Sequence, residues 1–142
     1  MGFLENLVTL RIQQVLSEIS VHFSELIKAS PYETLDTARF VYAGELLFTV
    51  EFNDGSSLVI LEKYSLMHYA LKITLYNYIY LDSSNNPIVS YDNSPHHPEI
   101  SSFPHHKHYY PKRKFRPLPF SGDLLDALSE IKWIMTNSGG YS

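Results

Sequence analysis

An α+β fold is what the sequence predicts, on three observations. Apolar residues recur at helical spacing at both ends of the chain, they alternate with period two in between, and a proline- and histidine-rich stretch follows the alternating part. The expected order is an N-terminal amphipathic helix, a four-stranded antiparallel meander sheet, a His/Pro-rich loop and a C-terminal helix. All lie in one domain over residues 1–142: helix 1–30, sheet 39–91, loop 92–120 and helix 121–137. A chain of 142 residues can bury a core without staples. Cysteine is absent, which excludes disulfides, thiolate catalysis and Cys-ligated zinc or iron–sulfur sites.

The first helix rests on Leu4, Leu7, Val8, Ile12, Val15, Leu16, Ile19, Phe23, Leu26 and Ile27, a single apolar face from about Leu4 to Ala29. Ser30-Pro31 should end it, since the residue before proline resists helical backbone, and the β-branched stretch Ile19 to Val21 is a candidate break. His22 fits a packed or half-exposed position better than a ligand. From Arg39 the period changes to two through Phe40, Tyr42, Leu46, Phe48, Val50 and Phe52. Asn53-Asp54-Gly55 then supplies a hairpin turn, because Asp-Gly adopts positive φ at low steric cost. Leu58, Ile60 and Glu62 form the return strand, Tyr69 to Leu81 a third, and Pro87 to Tyr91 a fourth after the turn cluster Asp82 to Pro87. Glu51 and Glu62 face either solvent or a sheet-surface site as a base. Tyr76, Tyr78 and Tyr80 share one face, as packing first and as a stacking platform for bases second. The last helix has Ser121 as N-cap, Asp123 in its first turn and an apolar face of Leu124, Leu125, Leu128, Ile131, Ile134 and Met135, with Trp133 off that stripe.

Charge is unevenly spread. The net charge is −4, yet Lys107, Lys112, Arg113, Lys114 and Arg116 cluster in a stretch without acids from Ile100 to Gly122. A basic stripe on an acidic protein attracts phosphates through its local field. No apolar run reaches the length of about 18 residues that a transmembrane helix needs, and the start M-G-F-L-E-N-L-V lacks a basic leader. The expectation is a cytoplasmic protein without a membrane partner.

Five of the seven histidines, His96, His97, His105, His106 and His108, fall within thirteen residues, among Pro95, Pro98 and Pro104. Imidazole gives and takes protons near neutral pH. Metal-free RNA cleavage needs one group to deprotonate the 2′-hydroxyl, another to protonate the leaving 5′-oxygen, and cations for the phosphate. The expected set is one of His96 or His97 with one of His105, His106 or His108, Asp92 as orienter, and Lys107 on the phosphate. Lys112, Arg113, Lys114 and Arg116 would bind RNA backbone. Metal binding is the rival chemistry, since imidazole suits zinc, copper, nickel and iron. The spacing, however, matches no helical metal motif and nearby carboxylates are only Asp92 and Glu99, so neither metal nor cofactor is expected. A metal- or nucleic-acid-binding accessory module without catalysis is the alternative.

The run Y-D-N-S-P-H-H-P from Tyr91 to Pro98, followed by F-P-H-H-K-H from Phe103 to His108, resembles the hallmark of the TumE-like toxin family. F-N-D-G-S-S-L-V-I-L-E-K-Y from Phe52 to Tyr64 resembles a hairpin of the same family. Ser90 stands where an Arg is common in that hallmark. The resemblance implies an RNA-cleaving toxin of a type II toxin–antitoxin pair, restrained by a cognate antitoxin protein. It adds Asn93 to the candidate site beside Asp92 and the histidines. The first helix matches no hallmark and is open to core packing, homodimer formation or antitoxin binding.

Overall fold

The computed structural model describes residues 2–28, 44–110 and 117–137. Helix α1 (Phe3–Phe23) buries Val8, Ile12, Val15, Leu16, Ile19 and Phe23, the three- and four-residue steps of its apolar face. It runs unbroken through Ile19 to Val21 but stops short of the expected end at residue 30. The Leu26 and Ile27 amides turn back to the Phe23 carbonyl, and Ile27 then bridges Phe52 through the Lys28 amide, which donates to the Glu51 carbonyl at 2.9 Å, and the Leu26 carbonyl, which accepts from the Asn53 amide at 2.8 Å. The expected stop at Ser30-Pro31 lies outside the described residues.

The sheet contains β1 (Glu45–Glu51), β2 (Ser57–Met67), β3 (Ala70–Leu81), β4 (Pro87–Asp92), β5 (His106–Tyr109) and β6 (Leu118–Pro119). All pair antiparallel in the order β1-β2-β3-β4-β5-β6. The meander is as expected, but among the described residues six strands replace four. The additions, β5 and β6, lie inside the segment 92–120 read as a loop. Strand β5 escapes a periodicity test because His106-Lys107-His108-Tyr109 is short and polar on both faces. The start of the expected sheet, with Phe40 and Tyr42, lies outside the described residues. Gly55 takes φ +87° at the first hairpin turn, where Asp54 Oδ1 accepts from the Ser56 amide. The β2–β3 turn has His68 and Tyr69 at φ 51° and 62°, a two-residue turn built without the usual Asn or Gly.

Helix α2 (Leu124–Thr136) buries Leu124, Ala127, Leu128, Ile131 and Ile134 and leaves Trp133 exposed. Its N-cap is Asp123, whose carboxylate accepts from the Leu125 amide at 3.0 Å. Ser121, the expected cap, instead accepts from the Asp123 amide one turn earlier.

Both helices lie on one face of the sheet. Strand alternation sends Leu46, Phe48, Val50, Leu58, Ile60, Tyr76, Tyr78, Tyr80, Val89 and Tyr91 into that core, so the three β3 tyrosines are packing groups. Glu62 points the same way and is fully buried, neither solvent-facing nor open to a substrate. Arg11 of α1 donates to both its oxygens at 2.9 and 2.8 Å, and the Tyr64 and Tyr78 hydroxyls donate as well. Burial and the carboxylate together hold both phenols well above their ordinary range. Glu51, by contrast, is exposed.

A second carboxylate ties α2 to the sheet. Glu130 accepts from Tyr91, Tyr109 and Lys107. Burial opposes its ionisation, but those hydrogen bonds outweigh it and hold the carboxyl below its ordinary value of 4.5. Replacing Arg11 by Met should strand the Glu62 charge and lower the unfolding free energy by about 3–5 kcal/mol in denaturant titrations. The folded state binds the Glu130 proton less tightly than the unfolded one, so this group adds stability above the ordinary carboxylate range and loses it as pH falls through the folded value. Thermal melts of Glu130→Gln should therefore show a shallower loss of stability on acidification than those of the parent chain.

Candidate functional site

The site is assembled by strand register. Asp92 pairs with His106, and Ser90 with His108, across β4 and β5. These residues therefore point to the sheet face opposite the helices, while Tyr91, Lys107 and Tyr109 point into the helix layer. Asp92 Oδ1 lies 3.1 Å from His106 Nε2 and also accepts from the Ser94 amide. The other nitrogen of His106, Nδ1, lies 3.0 Å from the Pro104 carbonyl, a contact in which the ring donates. His106 is nearly fully buried by these partners.

The loop between β4 and β5 returns His97 over this face. His97 adopts φ 64°, a left-handed conformation that costs a non-glycine residue about 1 kcal/mol or more and persists only when its surroundings impose it. The Ile100 amide bonds back to the His97 carbonyl, and Ser102 clamps the loop by donating to the His105 carbonyl and accepting from the Phe120 amide. The His97 ring then stands edge-on to His106 and His108, with centroids at 5.4 and 5.9 Å; His106 and His108 are 5.1 Å apart. One nitrogen from each of the three rings lies within 4.8 Å of the others. His97 Nδ1 is 3.5 Å from Glu99 Oε1, so Glu99 borders the cluster from outside.

The remaining candidates go elsewhere. His96 is exposed and touches only the outer edge of the cluster, with its ring 6.4 Å from that of His97. His105 turns to the other side of the sheet, where it stacks on Tyr76 and meets the Tyr76 hydroxyl at 2.9 Å through Nδ1. Gly122 lies so close that a Cβ there would sit 2.6 Å from this ring. Asn93 extends the sheet ladder with its side chain: Oδ1 accepts from the Tyr76 amide and Nδ2 donates to the Thr74 carbonyl. Lys107 faces the helices, 3.0 Å from Glu130. Lys112, Arg113, Lys114 and Arg116 lie outside the described residues.

Each histidine pair is thus divided, one ring entering the cluster and one leaving it, and His108 joins the two that enter. The Pro104 carbonyl and Glu99 carry no sequence signal for their parts. The alternation of His106, Lys107 and His108 does signal that the lysine and the histidines part company, once the segment is recognised as a strand.

No curated protein and no solved structure matches the chain. A family model described as Toxin TumE matches residues 14–135, which takes in the whole sheet, Asp92 and all three clustered histidines. A toxin of this kind has a cognate antitoxin as its partner. Among the described residues no helix is long and apolar enough to cross a membrane. With most of its length matched, the chain belongs to the TumE toxin family.

Proposed function

We propose that this toxin acts by cleaving RNA, with the three-imidazole cluster on the open face of the sheet as its reactive centre and with no metal required. The convergence of His97, His106 and His108 beside Asp92 is the observation that carries this reading. His106 is engaged on both ring nitrogens and buried, which suits a positioning group. His97 and His108 are half-buried at the solvent side and suit proton transfer.

In the proposed reaction one of these two rings takes the 2′-hydroxyl proton as the 2′-oxygen attacks phosphorus. The other gives a proton to the 5′-oxygen as the P–O5′ bond breaks, leaving a 2′,3′-cyclic phosphate and a 5′-hydroxyl. Asp92 holds His106 in orientation, as acids hold imidazoles in catalytic triads. His96 is assigned to contact with the bound strand, and His105 and Asn93 to supporting the loop and the end of β4. Lys112, Arg113, Lys114 and Arg116 are assigned to backbone phosphates, as the basic stripe that follows the histidines in the sequence. Lys107 is tied up by Glu130 and contributes through that tie.

His97→Ala and His108→Ala should each lower the rate of RNA cleavage by roughly 10²-fold or more, with unchanged circular dichroism. His96→Ala should lower it far less. Cleavage of a defined RNA by the purified chain should survive EDTA; wild-type rates in both His97→Ala and His108→Ala would remove the assignment.

A further inference from the structure

We infer that His97, His106 and His108 also form a binding site for a divalent transition-metal ion of the zinc class, with Asp92 as its carboxylate neighbour. Three nitrogens no more than 4.8 Å apart leave a point within about 2.8 Å of all of them. Zinc–imidazole bonds are about 2.0–2.1 Å, so closure asks each ring to move by less than about 1 Å. His97 and His108, half-buried at the solvent side, can close toward the buried His106, and an ion can reach them from solvent.

His106 shows the preparation most clearly. Its Nδ1 donates to the Pro104 carbonyl, the contact that ligating histidines use to fix their tautomer, and this leaves Nε2 as the nitrogen for an ion. Nε2 faces Asp92 Oδ1 at 3.1 Å. A cation held between Nε2 and Oδ1 would take the place of the direct contact between them. Neighbouring ligand atoms around one zinc ion stand at about this distance. On the same face of the sheet, Asn77 stands opposite Asp92 in the register, and its Oδ1 is buried without a hydrogen-bond partner among the described residues.

Imidazole donors select zinc, cobalt, nickel or copper over magnesium or calcium, which want several oxygens where this cluster has Asp92. Metal binding stands on the geometry alone. Its effect on cleavage rests on the acid–base reading: an ion occupying the lone pairs of His97 and His108 removes them from proton transfer, so it acts as a brake.

The test uses the untagged full chain, freed of metal with chelator and titrated with Co²⁺. One equivalent should bind with a visible ligand-field spectrum of low-coordinate Co²⁺, and Zn²⁺ should displace it. His97→Ala and His108→Ala should each weaken binding by roughly tenfold or more, and Asp92→Asn by about ten- to a hundredfold, while His96→Ala leaves it unchanged. Absence of saturable binding, or equal binding by a His97→Ala/His108→Ala double variant, overturns the site. Zn²⁺-inhibited RNA cleavage supports both the site and the acid–base reading. Cleavage that requires the ion supports the site and overturns the metal-free mechanism, and binding without cleavage in any form supports the site and overturns RNA cleavage.

Discussion

Successive side chains on a strand point to opposite faces, and this rule acting on the four residues of β5 organises the rest of the molecule. His106 and His108 go to the open face, where β4 presents Asp92 and Ser90 opposite them. Lys107 and Tyr109 go to the helix face, where both bond to Glu130 of α2. Slipping β5 by one residue would bury two imidazoles in the helix layer and leave Glu130 without its lysine. The register is therefore held from both sides, and the cluster inherits its position from a salt bridge on the far side of the sheet.

The helix layer supplies the rigidity behind that arrangement. A fully buried glutamate is costly unless every oxygen is paired, and Glu62 has a bidentate arginine and two tyrosine hydroxyls. The forked geometry admits one placement of Arg11, and with it of α1 across β2 and β3. Phe23, Phe52 and Tyr80 close the other end of this layer through ring contacts at 5.0 and 6.2 Å. With its back fixed at two carboxylates, the sheet presents the open face as a firm floor beneath the β4–β5 loop.

Proton transfer and metal ligation draw on the same imidazole lone pairs, so a cluster suited to one is suited to the other. What separates the two uses is occupancy. The left-handed backbone of His97 and the clamp at Ser102 keep the third ring over the first two in either case. Under the proposed acid–base reading, an ion that masks these nitrogens would restrain the toxin independently of the antitoxin.

The amphipathic helices, the turn at Asp54-Gly55, the turn cluster at Asp82 and the packing of the three β3 tyrosines were legible from residue period and turn chemistry, because each depends on neighbours in the chain. So was the concentration of histidines between Asp92 and His108, and the family hallmark within it. Strand β5 was not legible, since a four-residue polar strand has no apolar alternation to betray it. The fate of Glu62 depended on Arg11, 51 positions away, and that of Lys107 on a glutamate in the last helix. The separation of His97 from His96 and of His106 from His105 came from loop backbone and strand register, which identical neighbouring residues do not encode. Local pattern determined where the histidines and their neighbouring acids lie in the chain; long-range pairing across the sheet decided which of them meet.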